Sequence, residues 1–143
     1  MTVLEVLDAE INLIVVSRGR ENLPAFQSNA HGSLTWTNLA NQKTVKSVFN
    51  IADQDHRVTD NGDGTLTVIV KSNGGDRWYG PDGRLLFREP GQTRYELLVD
   101  HGGTPNDPFD DEVLEFVGLL KESTGRNDLQ GRDFCDDMLS LLR

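Results

Sequence analysis

The sequence has few of the residues on which metal centres, disulfides and redox chemistry depend. Its 143 residues include one cysteine and three histidines. A lone cysteine excludes an internal disulfide and any site built on paired cysteines. Because Cys135 lies among Phe134, Met138 and Leu139, we expect a buried apolar thiol rather than a reactive nucleophile.

Long apolar segments are also missing. A membrane-spanning helix needs about twenty consecutive apolar residues, and the sequence contains no such run. The first twenty residues are interrupted by Glu5, Asp8 and Glu10 and follow no cationic segment, unlike a secretory signal. We therefore expect a cytoplasmic protein. The alternative is a secreted protein whose leader has been removed.

Positive charge is scarce. Lysine and arginine total 14 against 23 acidic residues, which gives a formal net charge of −9. Such a field repels phosphate backbones, and the cations never form a run of the kind that binds anionic surfaces. We expect neither nucleic acid nor membrane as a partner.

What the sequence does contain is alternation of apolar and polar residues with a period of two, broken at short intervals by turn-forming residues. This pattern is typical of antiparallel strands. The predicted strands are residues 11–18, 33–38, 44–53, 65–72, 84–89, 93–100 and 112–123, with 3–8 as a further candidate. The run 11–18 opens with consecutive apolar residues, which predicts that its strand is covered on both faces.

Turn-forming residues cluster at four places, which are 60–64, 72–76, 80–83 and 89–92. Each cluster is rich in glycine together with asparagine, aspartate or proline. These residues tolerate the backbone conformations that tight hairpins require. Each cluster therefore predicts a connection between two strands.

The C-terminal segment 131–142 predicts the one helix of the chain. Its apolar residues recur at helical spacing, and acidic residues crowd its first turn, where the helix dipole favours them. Together the elements predict a single all-β domain over residues 1–143. The expected fold is an antiparallel up-and-down barrel of about eight strands that ends in this helix. A β-sandwich is the alternative.

Two stretches carry a resemblance: VTDNGDGTLTV (58–68) and PGQTRYELLVDHGGTPNDPFDDEVLEF (90–116). The chain resembles a small all-β domain, without an assigned activity, of bacterial hypothetical proteins, most of them secreted. The resemblance covers roughly residues 44–137 and includes the GRDFCDD segment around Cys135. It implies a common fold and brings no activity with it. The secreted members have a second cysteine near the start, which this chain lacks.

Familiar catalytic signatures are absent from the sequence. It has no G-x-S-x-G elbow, no phosphate-binding loop and no dinucleotide fingerprint, so we expect no cofactor. The weak catalytic candidates are His56, Asp53 and Tyr95. A neighbouring carboxylate can orient an imidazole, and a phenol can donate a hydrogen bond to a reacting group.

Six aromatic residues predict a ligand-binding interior. They are Trp36, Phe49, Trp78, Tyr79, Phe87 and Tyr95. The expected function is a small β-barrel binding module for an apolar small molecule. A cofactor-independent cyclase or isomerase that uses the same cavity is the alternative, by architectural analogy to allene-oxide-cyclase-like barrels. The aromatic residues can also simply fill the core, and a homodimer is left open.

The acidic stretch VDHGGTPNDPFDDEV (99–113) is predicted to be the longest hairpin connection of the sheet. The weak candidates for calcium ligands in it are Asp100, Asp107, Asp110 and Asp111. Their spacing matches no known calcium loop, so a solvated connection is favoured over a metal site. A calcium-stabilised extracellular interaction domain is the second alternative to the apolar-ligand binding module.

Overall fold

In a computed structural model that describes residues 1–123 and 125–143, the chain forms six antiparallel strands and one C-terminal helix. The elements are β1 (Val3–Arg18), β2 (Leu23–Asn38), β3 (Thr44–Asp60), β4 (Thr65–Tyr79), β5 (Leu85–Asp100), a 3₁₀ turn (Pro108–Asp110), β6 (Glu112–Lys121) and α1 (Phe134–Leu142). The strands pair in chain order, so each connection is a hairpin. The predictions of β-strand for 112–123 and of a long hairpin connection before it are confirmed.

The sheet is open, with β1 and β6 as its two edges. The prediction of an all-β antiparallel domain with a C-terminal helix is confirmed. The expected barrel of about eight strands is not found, because the described residues form six strands in one sheet whose edges do not pair. The same single sheet replaces the alternative of a sandwich.

Two of the four predicted turns are confirmed. Residues 60–64 connect β3 to β4, and residues 80–83 connect β4 to β5. Gly62, Gly64 and Gly83 adopt positive φ there, a conformation that glycine tolerates without strain.

The other two predicted turns are wrong, because they lie inside long strands. Gly74 and Gly75 continue β4 and pair with Gly91 and Pro90 of β5. A Cβ at Gly74 would lie 2.5 Å from the carbonyl oxygen of Asn50, so glycine here allows β3 to approach closely. Because β5 runs through the predicted turn at 89–92, the predicted strands 84–89 and 93–100 form one strand. The sheet therefore has fewer strands than expected.

The first strand joins two separate predictions, 3–8 and 11–18. β1 pairs with β2 along its whole length without a register shift. The expected cover on both faces is wrong, since nearly every residue of β1 is exposed. Because β1 is an edge strand, only β2 lies beside it in the sheet.

Two apolar clusters form the core. One contains Leu23, Leu66, Val68, Val70 and Val99, and the other contains Trp36, Val45, Met138 and Leu142. The second cluster is where α1 packs against the sheet. The side-chain amides of Asn38 and Asn41 each donate to the Leu142 carbonyl oxygen at 2.9 Å, which fixes the end of the helix.

The helix starts three residues later than predicted, at Phe134. The carboxylate of Asp133 caps it by accepting from the Asp136 N–H at 3.0 Å, as a residue just before a helix commonly does. Cys135 is exposed, so the predicted buried thiol is wrong. The helix turns Met138 and Leu142 to the sheet instead.

Within the described residues, no helix has the length and apolar character needed to cross a membrane.

Candidate functional site

The predicted aromatic residues do not line one common cavity. Trp36 and Trp78 stack with ring centroids 5.1 Å apart, and Phe134 of α1 lies edge-on to both. Tyr95 packs elsewhere, with its ring 5.6 Å from that of Phe116 on β6. The aromatic residues under α1 therefore belong to the core.

A small apolar crevice remains beside this core. Its volume is about 120 Å³, and its walls include Trp78, Phe87, Phe134 and Met138. Arg132 closes one side, with its guanidinium carbon 4.3 Å from the centre of the Phe87 ring. Ligand sites usually enclose about 300–1,000 Å³, so the crevice is small for a binding site.

Two of the three catalytic candidates come together. Asp55 on β3 is opposite Val70 on β4, and Val70 is opposite Tyr95 on β5, so the three residues share one face of the sheet. Asp53 is two residues before Asp55 on the same strand and therefore lies on that face as well. Burial, and then the charges of Asp53 and Asp55, raise the pKa of Tyr95. His56 does not join them: it is the exposed extra residue where the β3 register shifts.

The carboxylates of the acidic connection hold its turns together. Asp100 accepts from the Gly102 N–H at 2.8 Å, and Asp107 accepts from the Phe109 N–H at 3.1 Å. Asp110 accepts from the Thr104 hydroxyl at 2.9 Å. These bonds explain why the connection contains so many aspartates.

The fourth calcium candidate, Asp111, is partly buried, and desolvation raises the pKa of its carboxyl. His101 beside it is buried, and its Nδ1 accepts from the Gly103 N–H at 3.2 Å. Across residues 1–123 and 125–143, no three His, Cys, Asp or Glu side chains are grouped so that they can hold a metal ion.

A cleft of about 980 Å³, here called the cationic cleft, is lined by residues of similar charge. The end of β1 and the β1–β2 turn form one wall of it, and the end of β3 around its register shift forms another. Ile69 of β4, Arg94 of β5 and the last residues of β6 complete the lining. The turn is tight, with positive φ at Gly19 and Asn22.

The cationic cleft concentrates positive charge on an acidic molecule. Its charged lining residues are Arg18, Arg20, Glu21, Arg57, Arg94 and Lys121. Four arginines, one lysine and one glutamate give a formal charge of +4. Since the whole chain carries −9, the residues outside the cleft carry −13.

Two guanidinium groups at the cationic cleft have unused donors. The Nε atoms of Arg18 and Arg94 are buried and have no hydrogen-bond partner among the described residues. The Gln54 amide lies against the other side of Arg18, and with its oxygen turned toward the guanidinium it accepts from Nη1 at 3.1 Å. Its charge also lowers the pKa of the Asp55 carboxyl, although burial raises that pKa more strongly.

Sequence reasoning missed this cluster because its cations are far apart along the chain. The pairing of strands brings them together: Arg94 on β5 lies opposite Lys121 on β6. Lys71 on β4, which does not line the cleft, lies opposite Arg94 on its other side. Like charges directly opposite one another destabilise a sheet. The strand register could have revealed this row of three cations. A turn predicted at 72–76, inside β4, gave the wrong register for the β4–β5 pair.

Fold and site together define an open, six-stranded antiparallel sheet domain with a cationic cleft at one end. No protein-family model matches the chain, and no curated protein or solved structure matches it either.

Proposed function

We propose that the domain is a binding module for a small organic anion, which the cationic cleft receives. The observation that carries this proposal is the convergence of five of the 14 lysine and arginine side chains on one cleft. Grouping like charges costs free energy unless an opposite charge joins them. A bound anion supplies that charge.

The dimensions of the cleft support a small ligand. Its volume of about 980 Å³ lies within the range of about 300–1,000 Å³ that is usual for small-molecule sites. Val58, Ile69 and Leu120 add apolar surface beside the cations. The ligand therefore combines a phosphate or carboxylate group with an apolar part. The apolar part agrees with the apolar ligand expected from the sequence.

Arginine chemistry supports phosphate or carboxylate as the charged group. A guanidinium presents several N–H donors in one plane, which match the oxygens of these groups in pairs. Arg18 and Arg94 have buried Nε donors without a protein partner. Burying such donors unpaired costs about 1–3 kcal/mol each, and an anion removes that cost.

The charge outside the cleft favours a small anion over a nucleic acid. A long polyanion that enters the cleft also runs past the rest of the chain, whose residues together carry −13. Repulsion by those residues opposes the binding of extended phosphate backbones. A ligand confined to the cleft avoids it. Of the three catalytic candidates, His56 lines the cleft, whereas Asp53 and Tyr95 do not, so the proposal includes no catalytic step.

The proposal is tested by calorimetric titration with phenyl phosphate, pyrophosphate and citrate at low ionic strength. We expect phenyl phosphate to bind, and Arg57→Gln to weaken that binding by about tenfold or more, because a hydrogen bond to a charged group is worth about 1.5–3 kcal/mol. Arg57 is exposed, so the substitution leaves the fold intact.

Arg77→Gln is the matched control, since it removes the same charge from an exposed β4 residue that does not line the cleft. It should leave the affinity nearly unchanged. Absence of binding by all three anions would overturn the proposal. An equal loss in the two variants would show that binding is nonspecific, and would overturn it as well.

A further inference from the structure

The outer edge of the sheet at β1 is long, apolar and uncovered. Ile11 is 66% exposed, and Leu7 and Leu13 are 63% and 56% exposed. Apolar side chains are exposed on both faces of the strand, because the exposed set includes Val6 and Ile14 as well as these odd-numbered residues. An edge of this kind is a template for another strand.

The two edges of the sheet differ in how well they can pair. The β5–β6 ladder has three register shifts, between Arg94 and Tyr95, Glu96 and Leu97, and Leu98 and Val99. Such irregularities bend an edge and block further pairing. The β1–β2 ladder is regular from Val3 to Arg18. The regular edge is therefore the one that can accept a strand.

The charges of β1 are arranged for an antiparallel copy of itself. Its acidic residues, Glu5, Asp8 and Glu10, lie in the first half, and the second half is uncharged until Arg18. Antiparallel pairing of two copies places acidic residues opposite uncharged ones, whereas parallel pairing in register places acid opposite acid.

Two of the three acidic side chains are also occupied within the chain. The Glu5 carboxylate accepts from the Trp36 indole N–H at 2.6 Å, and Glu10 lies 3.5 Å from the His31 imidazole. Both partners are on β2, the strand on the inner side of β1. These contacts leave the outer edge free for backbone pairing.

We infer that a second copy of this chain pairs with β1, antiparallel and about a two-fold axis at Ile11. A two-fold axis perpendicular to the sheet keeps each residue on its own face, so odd-numbered residues face odd-numbered ones. The cross-strand pairs are then Ile11 with Ile11 of the second copy, Ala9 with Leu13, Leu7 with Val15, Val6 with Val16, Asp8 with Ile14, Glu10 with Asn12, and Glu5 with Ser17. The result is a continuous sheet of twice the width.

The size of the contact fits a reversible dimer. At about 3.4 Å per residue, the overlap of residues 4–18 is about 50 Å long. With a sheet thickness of about 10 Å, two edges cover about 1,000 Å² in total. That area is near the minimum of about 1,000 Å² for a specific interface, so the dimer dissociates readily on dilution.

The test is disulfide trapping in a Cys135→Ser background, which removes the exposed native thiol. Ile11→Cys should give a disulfide-linked dimer under mild oxidation, because directly opposite residues have Cα atoms about 4.5–5.5 Å apart, within disulfide range. Sedimentation of the unmodified chain should show a dimer that dissociates on dilution. Ile11→Lys should weaken that dimer by about tenfold, since it places two ammonium groups opposite each other.

Leu13→Cys is the matched control, on the same strand and similarly exposed. Two such residues would lie about 14 Å apart across the two-fold axis, so this variant should not cross-link by itself. It should cross-link when mixed with Ala9→Cys. Equal trapping of Ile11→Cys and Leu13→Cys, a monomer at all concentrations, or a ladder of higher oligomers would each overturn the inference.

Discussion

Asp55 is a carboxyl group in a position where its charge is poorly hydrated. It lies on β3 just before the register shift, and its Oδ2 accepts from the Phe26 N–H at 2.9 Å. Burial raises its pKa above the ordinary value of 3.8, against the lowering effects of that hydrogen bond and of Arg18. The group therefore links the stability of the fold to pH.

The sign of the link follows from proton uptake. Between pH 3.8 and the higher pKa of the folded state, the folded chain binds more protons at Asp55 than the unfolded chain. The free energy of unfolding therefore falls as pH rises through that window. Asp55→Asn keeps an acceptor for Phe26 and removes the charge, so it should be more stable than the wild type at neutral pH, by an amount that shrinks on acidification.

Urea unfolding of both proteins between acid and neutral pH checks this prediction. Asp63→Asn is the control of opposite sign, because hydrogen bonds from the Thr65 hydroxyl and N–H lower the pKa of the Asp63 carboxyl. That variant should lose stability at neutral pH and recover relative to the wild type in acid. An Asp55→Asn variant that is less stable than wild type at neutral pH contradicts the assignment.

At the scale of the strands, the glycines in β4 decide how closely β3 can approach. A Cβ at Gly74 would lie 2.5 Å from the Asn50 carbonyl oxygen and 2.8 Å from the Ile51 Cα. A Cβ at the next residue, Gly75, would meet nothing within 4 Å. Adjacent glycines thus have different roles: one allows β3 to come close, and the other has open space.

Alanine substitution separates these roles. Gly74→Ala pushes against the backbone of β3 and should destabilise the fold by about 1–3 kcal/mol, as overpacking does. Gly75→Ala should be neutral or stabilising by up to about 0.5–1 kcal/mol, since alanine restricts the unfolded chain more than glycine. Chemical unfolding monitored by tryptophan fluorescence measures both. Equal destabilisation by the two substitutions would contradict the steric explanation.

These glycines also show how far the sequence predicts the fold. Alternation of apolar and polar residues identified most strand segments, and the acidic first turn identified the helix around Met138. Composition alone cannot distinguish a glycine in a turn from a glycine inside a strand, because only the neighbouring strand creates the need for a missing Cβ. The sequence therefore predicts turns around Gly74 and Gly91, where the structure has paired strands.

The candidate site was less predictable for a related reason. Arg18, Arg57, Arg94 and Lys121 come from different strands, and only the register of the whole sheet places them at one cleft. By contrast, Asp53 and Tyr95 share the face of the sheet that includes the buried Val70. Alternation of apolar and polar residues along each strand indicates which residues lie on such a face. Sequence periodicity thus reports local faces, while charge clusters depend on long-range pairing.

For the whole molecule, the uneven charge predicts opposite responses to salt. The cationic cleft carries +4 on a chain of net charge −9. The Debye length falls from about 10 Å at 0.1 M salt to about 3 Å at 1 M. Added sodium chloride therefore weakens attraction of an anion to the cleft, and also weakens repulsion between two acidic copies.

We accordingly expect a rise from about 0.1 M to about 1 M sodium chloride to reduce the affinity for phenyl phosphate and to strengthen the β1-paired dimer. Calorimetry and sedimentation of the same preparation measure the two changes. Arg57→Gln should flatten the salt dependence of anion binding, because one cation fewer is screened. It should leave the salt response of the dimer nearly unchanged, since Arg57 lies on β3 and not on the pairing edge. A dimer that weakens with salt would mean that ion pairs hold it together, and the apolar edge of β1 would then not be its interface.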